Sequence, residues 1–319
     1  MVDFIKLRTG RLVNMIPAKQ LQAIQKATSW TQTKLAVELE VSHATLNSWI
    51  NQRSKPRASK VQKIIDLYNY TIGSDELIDQ VNNHRKDALQ NKFNIKQLLS
   101  EKIKLEKLIL HVTFHTNSIE GSTMTMADVN AVVFNNKVLA NRSRLEQQEA
   151  LNHRAALEWT LDLLAAKEWT LSTELIQQTH LRLMNSILSD AGLFRRHSVR
   201  IASSKTITSN WQSIEPKLEK MISSSPKTEN EETNAISAMS STHAIFEQIH
   251  PFTDGNGRVG RLIMLGQAIK NNLYPPIVQR ERKYAYYRYL EAAQTGNSPK
   301  NLENFIAESM LYSHNLLEG

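Results

Sequence analysis

Apolar residues recur at helical spacing along almost the whole chain, and this period constrains the fold more than any other feature. Strand-like alternation is rare, and helix breakers are scarce, with 10 Gly and 8 Pro in 319 residues. The expected class is therefore all-α. One short β-hairpin is the expected exception, opening at Val199, Arg200 and Ile201 after Gly192. The length suits two domains. Residues 1–72 read as an N-terminal module, the polar stretch 73–98 as a linker helix or loop, and 99–319 as the body. The first helix of that body is expected from about residue 99 to Ile119. Polar stretches at 203–210 and 223–233 read as loops. No apolar run approaches the length of a membrane span, and the first residues hold no signal-type apolar core. The absence of cysteine excludes disulfide and thiolate chemistry and fits a cytoplasmic protein.

Charge divides the chain. Residues 1–72 hold 11 Lys and Arg against 4 Asp and Glu, a net of +7 out of a total of +8. A basic segment on a near-neutral body points to a nucleic-acid-binding module, with a solvated basic face of a helical bundle as the alternative. Within it, TQTKLAVELEV and SHATLNSWINQ are two short helical patterns joined by a tight turn. Leu35, Ala36 and Leu39 share one face, Leu46, Trp49 and Ile50 another, and Ser42 is a good N-cap for the second helix. This helix-turn-helix pattern resembles the phage-repressor-like (Xre/Cro) DNA-binding family from Thr31 to Pro56. The resemblance implies binding to duplex DNA. Gln32 and Ser42 would lie at the backbone, His43, Thr45 and Asn47 would face bases, and Arg53 and Lys55 would hold phosphates. The chain departs from that family in the turn, where Glu40 stands in place of the usual glycine. A dimerisation or target-docking bundle is the other reading of the module.

The stretch from 250 to 261, HPFTDGNGRVGR, carries the chemistry. Ile236, Met239, His243 and Phe246 before it, and Val259, Leu262, Ile263 and Gly266 after it, fall at helical spacing. The stretch is thus a loop joining two packed helices. Gly255 and Gly257 around Asn256 let backbone N–H groups approach a ligand at a helix N-terminus, which is an anion site. Arg258 and Arg261 are three apart on that helix and suit a polyphosphate. Asp254 beside phosphates suits Mg²⁺, and His250 suits a general base at neutral pH. Phe252 is expected to anchor the loop in the core. The other histidines, among them His115 and His180, show no metal-ligand spacing and read as structural or surface residues.

These residues match the Fic signature H-x-F-x-[D/E]-G-N-G-R-x-x-R at every fixed position, and the resemblance extends over roughly residues 100–310. It implies transfer of AMP from ATP, with Mg²⁺, to a Tyr, Thr or Ser hydroxyl of a protein. His250 would take the hydroxyl proton and Asp254 would hold the metal. Gly255, Asn256, Gly257 and Arg258 would hold phosphates, and Arg261 the γ-phosphate. The segment from Val199 to about Trp211 would be a flap that docks the target, and Tyr287 would lie near the adenosine. The related Doc-like kinases carry Lys where this chain has Gly257, so Gly257 favours AMP transfer over phosphate transfer.

A second pattern, TNSIEG at 116–121, puts Thr116 and Glu120 on one helical face with Gly121 as a helix stop. It resembles the inhibitory signature [S/T]-x-x-x-E-[G/N] of self-inhibited Fic proteins, which implies that Glu120 restrains Arg261. The implied partners are a protein substrate, the chain itself included, duplex DNA, and a second copy in a homodimer; no membrane partner is expected. The alternative function is a DNA-binding transcriptional regulator whose Fic domain senses nucleotide.

Overall fold

The computed structural model describes residues 17–72, 75–201, 204–224, 235–296 and 298–319. The chain divides into two units, Met1–Gln80 and Val81–Gly319. Among the described residues there is no strand, and the one bridge is an isolated antiparallel contact between Lys92 and Leu273. The all-α expectation holds.

The first unit contains α1 (Pro17–Thr28), α2 (Gln32–Glu38), α3 (His43–Ile50) and α4 (Ala58–Ile72). Its core is Leu21, Ile24, Leu35, Leu39, Leu46, Trp49 and Ile64, including both predicted apolar faces. Thr31 caps α2 by accepting from Lys34 N at 3.1 Å, and Ser42 caps α3 by accepting from Thr45 N at 3.1 Å. Glu40, in the turn between them, has φ +52°. The left-handed conformation that usually selects glycine is present, and a glutamate adopts it. Lys60 Nζ donates to the carbonyls of Leu39 and Glu40 at 2.9 and 3.1 Å, and Lys63 pairs with the Glu40 carboxylate at 2.9 Å. Those lysines hold the turn closed where the backbone alone disfavours it.

Helix α5 (Asp75–Gln90) carries the boundary between the units. In the second unit, the end of the stretch expected as a linker is packed rather than free. His84 Nδ1 lies 2.8 Å from Asn304 Oδ1, Arg85 pairs with Glu303 at 3.2 Å, and Ala88, Phe93 and Leu98 are buried. The helix expected from about residue 99 is two helices, α6 (Ile95–Ser100) and α7 (Lys102–Glu120). There follow α8 (Met126–Asn135), α9 (Arg144–Ala165), α10 (Thr173–Met184), α11 (Ile214–Ser224), α12 (Ala235–Ile249), α13 (Asn256–Lys270), α14 (Lys283–Gln294) and α15 (Lys300–Glu318). Helix α13 runs through the middle of the unit. From Asn256 to Ile269 every residue but Gly257 and Gln267 is buried, as expected of a helix that is covered on all sides. Its N-terminal turn therefore meets α7, α9 and α10, and these contacts build the site.

Among the described residues of the hairpin expected from Val199 to Trp211 there is no strand pairing. The polar groups are satisfied in other ways. Thr208 Oγ1 donates to Val199 O at 2.7 Å, Ser209 N to Gln248 O at 3.2 Å, and Lys205 N to Glu291 Oε2 at 3.1 Å. Side chains take the place of a strand ladder. The loop expected at 223–233 lies, from residue 225 on, outside the described residues.

Candidate active site

The loop between α12 and α13 is held from inside. Phe252 is fully buried and stacks on His180 with centroids 3.7 Å apart and planes 5° from parallel. The Asn256 side chain accepts from Phe252 N and donates to Phe252 O, both at 2.9 Å. Expected at the phosphates, this amide is committed to closing the loop. The His180 ring is fixed as well, because Gly192 N donates to Nδ1 at 2.8 Å, leaving Nε2–H to donate to Asp254 O at 3.1 Å. Burial pushes its pKa down to about 4, so the ring is a neutral structural strut. Buried Arg195 completes the frame. Its guanidinium donates to the carbonyls of His250 at 2.7 Å, His197 at 2.6 Å and Ser209 at 2.6 Å.

His250 sits at φ +52° at the entrance of this loop. Its Nδ1 lies 3.2 Å from Glu247 O. A carbonyl only accepts, so Nδ1 carries the hydrogen and Nε2 carries the lone pair. Desolvation pushes the imidazole pKa below its ordinary value, opposed by the bond to Glu247 O. The ring is therefore neutral and basic at Nε2 at neutral pH. Asp254 has a 65% exposed carboxylate, with Oδ1 accepting from Gly255 N at 2.6 Å and Oδ2 3.6 Å from Arg258. Among the described residues no three His, Asp or Glu cluster as a metal cage. One open carboxylate beside an anion site instead fits Mg²⁺, which binds through one or two carboxylates plus phosphate oxygens.

Helix α13 opens at Asn256, with Gly255 as its N-cap at φ +78°. The first N–H groups of a helix have no partner within it, so this turn attracts an anion. The anion next to it in the structure is a side chain. Glu120, the last residue of α7, pairs with Arg261 Nη2, and Arg261 Nε donates to Thr116 Oγ1 at 2.6 Å. Gly121, at φ +114°, ends the helix as the sequence indicates. A Cβ on Gly257 would lie 2.6 Å from Glu120 Oε1 and 3.0 Å from Arg261 Nη1. The carboxylate thus rests against the bare backbone of the first turn. Burial works against the ionised form of Glu120, but Arg261 outweighs it and holds the pKa below the usual value. Burial likewise opposes the Arg261 charge, and Glu120 restores it, so both groups are charged.

The other predicted residues fall as follows. Arg258 is buried, as Arg261 is, and pairs with Glu149 Oε1 at 2.6 Å. Tyr287 is 39% exposed, and desolvation, then the charge of Glu120, raises its pKa. Val199, Arg200 and Ile201 follow His197 on the segment that Arg195 anchors. In the first unit His43, Arg53 and Lys55 are exposed, and the Ser42 hydroxyl is spent on the cap. Thr45 is half-buried with its hydroxyl 2.8 Å from Ser42 Oγ, and Asn47 donates to Gln32 Oε1 at 3.2 Å, linking the two helices.

Sequence reasoning missed Glu247. This buried acid is one helical turn beyond His243, a spacing that could have shown it, and its Oε2 is 4.0 Å from His250 Nδ1. Burial pushes its pKa up to about 8, against the pull of Arg261, so it is largely protonated at neutral pH. A Cβ on Gly260 would lie 2.6 Å from Glu247 Oε1 and 3.0 Å from His243. The two acids that act on the Arg261 region therefore differ, Glu120 being ionised and Glu247 largely protonated.

The model of the Fic/DOC family matches residues 170–267, which contain the whole loop, and a helix-turn-helix model matches residues 22–74. Residues 170–267 are a Fic/DOC-family domain. The Fic domain is similar to that of curated relatives. The protein adenylyltransferase Fic of Nematostella vectensis is 26% identical over 62% of this chain and 49% of its own length. The protein of the same name from Aedes aegypti is 27% identical over 73% of this chain and 45% of its own length. The chain thus spans about half the length of the curated relatives it matches. Among solved structures, Fic-1 (residues 134–508) of C. elegans superposes with a TM-score of 0.63 at 19% identity, covering 95% of this chain and 87% of that one. A Fic family protein of Desulfovibrio desulfuricans gives 0.60 at 22% identity, covering 75% and 72%. The Fic fold is shared.

Proposed function

We propose that the chain transfers AMP from ATP to a Tyr, Thr or Ser hydroxyl of a protein, and that Glu120 restrains this reaction. The observation that carries the proposal is the Glu120 carboxylate, paired with Arg261 and lying against Gly257 at the anion site of α13. Supporting it are the Fic domain and the names of the curated relatives. In the reaction His250 Nε2 takes the proton of the target hydroxyl as its oxygen bonds to the α-phosphorus. The bond from that phosphorus to the bridging oxygen breaks, and pyrophosphate leaves. The N–H groups at the start of α13 hold phosphate oxygens, and Arg261 is the cation for the γ-phosphate once Glu120 withdraws. Asp254 would hold Mg²⁺, which supplies positive charge to the leaving pyrophosphate. Buried Arg258, tied to Glu149, stiffens the first turn of α13. Catalysis is then positioning plus electrostatics. Incubation with ATP labelled in its α-phosphate decides the matter. Label on protein supports transfer, and nucleotide binding without label supports the sensor reading instead.

For residues 1–72 the reading is duplex DNA binding. It is supported by the helix-turn-helix match, the exposed His43, Arg53 and Lys55, and a net charge of +7. Affinity that does not fall steeply with salt would remove it.

A further inference from the structure

Two glycines three positions apart open the first turns of α13 to two acids. A Cβ on Gly257 would lie 2.6 Å from Glu120 Oε1, and one on Gly260 would lie 2.6 Å from Glu247 Oε1 and 3.0 Å from His243 Nδ1. The first acid is paired with Arg261. The second is 5% exposed, and its Oε1 is buried with no hydrogen-bond partner among the described residues. A buried carboxyl that lacks a hydrogen bond is costly, and an apolar side chain would fill the same recess without that cost. The reaction as written uses neither of its oxygens.

The groups around Glu247 narrow what it can do. On its own helix or at its end stand His243 and His250, on α13 Arg261, on α14 Tyr286 and Tyr287, and at the end of α7 Glu120. His243 Nε2 and the Tyr286 hydroxyl are 2.7 Å apart and satisfy each other. Burial pushes the His243 pKa down to about 3 and raises those of Tyr286 and Tyr287, so all three are neutral. Arg261 and Glu120 form an ion pair. The remaining group is the base. Glu247 Oε2 lies 4.0 Å from His250 Nδ1, whose hydrogen is donated to the Glu247 carbonyl at 3.2 Å. One residue thus orients the ring with its main chain and faces it with its carboxyl.

We infer that Glu247 is a positioning residue for the base: its carboxylate, seated in the Gly260 recess beside His250, is the counter-charge for the imidazolium that forms when Nε2 takes the hydroxyl proton. This rests on the AMP-transfer reading for the source of that proton, but the hold of Glu247 on His250 does not. An opposite charge within about 4–6 Å favours the charged form of an imidazole, and a buried pair is screened little by salt. The carboxyl supplies that charge only when ionised. Burial pushes its pKa up to about 8, with Arg261 opposing the rise and Glu120 adding to it. As pH passes through that value Glu247 gives its proton to solvent, and His250 then accepts the hydroxyl proton more readily. At lower pH Glu247 is neutral and the base works without it.

The test uses the full chain without ATP, its histidine rings isotope-labelled for NMR and the His250 signal identified by its loss in His250→Ala. With rising pH that signal is expected to shift a second time near pH 8, as Glu247 ionises. Glu247→Gln, which keeps the shape and carries no charge, is expected to remove the second shift and to leave Tm and the signal at lower pH in place. Glu120→Gly removes one cause of the raised value and is expected to move the shift to lower pH. A His250 signal with no second shift in the unsubstituted chain, or a shift that survives Glu247→Gln, overturns the inference. Self-labelling from ATP is scored separately in the Glu120→Gly background. There the rate at saturating ATP, divided by that of the chain also carrying Glu247→Gln, is expected to grow from near one at about pH 6 to at least about 10-fold at about pH 9, with KM for ATP unchanged. A ratio that does not change with pH is what a merely structural role gives, and it also overturns the inference. If no chain takes label at any pH while the second shift is present, AMP transfer fails and the hold of Glu247 on His250 stands.

Discussion

Glu40 and His250 share the same unusual backbone, φ +52° in each, and the two sites handle it in opposite ways. Glu40 lies in an open turn, where the side chains of Lys60 and Lys63 hold it from the surface. His250 lies in a closed loop, where buried Arg195 grips its carbonyl at 2.7 Å and Glu247 O takes its Nδ1–H. In the open turn the strain serves only to connect two helices, and solvent leaves room to relieve it. In the closed loop it aims the ring proposed as the base, and Arg195 and Glu247 fix it. The difference predicts that substitutions around His250 are costly in stability or rate, and that those in the first unit are tolerated by the fold.

The largest effect should come at the base itself. His250→Ala should lower AMP transfer by roughly 10²–10⁴-fold while sparing ATP affinity, because the phosphate donors lie elsewhere in the loop. Labelled transfer with parallel nucleotide titration reads both. In the unsubstituted site the histidine pKa is depressed, so the imidazole stays neutral as pH falls. The acid limb of the rate profile should therefore fall below the ordinary histidine value of about 6.5. A limb above it would contradict the buried geometry.

Next comes Gly260→Ala. The new Cβ meets Glu247 and His243 at 2.6 and 3.0 Å, inside a closed interior. Overpacking of this kind costs ~1–3 kcal/mol, readable as a lower denaturation midpoint. No change would mean that the interior around Arg261 is looser than its contacts indicate.

Smaller effects are expected in the open unit. Glu40→Gly should raise stability by up to ~1 kcal/mol, because the left-handed strain is removed. Against this stand the greater freedom of glycine in the unfolded chain and a lost exposed ion pair. A loss of stability would show that Lys63 contributes more than an exposed pair ordinarily does. Smallest is Arg53→Ala, which should change stability by no more than about 0.5 kcal/mol. Its effect belongs to binding. It should weaken all duplexes about equally and reduce the salt slope by about one. An effect on one sequence alone would move Arg53 from phosphate to base contact.

The parts of this molecule legible in the sequence are those set by local period and by side chains acting within a few residues. Leu35, Leu39, Leu46 and Trp49 fall in the core of the first unit, and Gly121 ends α7, because helical spacing and a left-handed stop are local properties. The pairing of Arg258 with Glu149 could not be read in the sequence, because the partner is over a hundred positions away and no spacing rule reports it. The ring that the Asn256 side-chain amide closes with Phe252 was not legible either, because the contact depends on how the loop folds back. The expected hairpin has no strand pairing among its described residues, where Lys205, Thr206 and Ser209 bond to Glu291, Gln294 and Gln248 and Thr208 bonds to Val199 O, contacts that no local alternation reports. Glu247 stood in view on the His243 face, but only burial makes an acid at that position unusual.

The central claim is that Glu120 is a brake on Arg261. Displacing it should release the cation for the γ-phosphate, and ~1.4–2.8 kcal/mol of competition corresponds to 10- to 100-fold in productive ATP binding. The direct measurement compares label incorporation from ATP by the unsubstituted chain, Glu120→Gly, Arg261→Ala and the double variant, with folding checked in each. The account predicts at least a tenfold rise for Glu120→Gly, including self-modification, and no rescue of Arg261→Ala by the second substitution. A folded Glu120→Gly chain that incorporates label no faster than the unsubstituted one would contradict it.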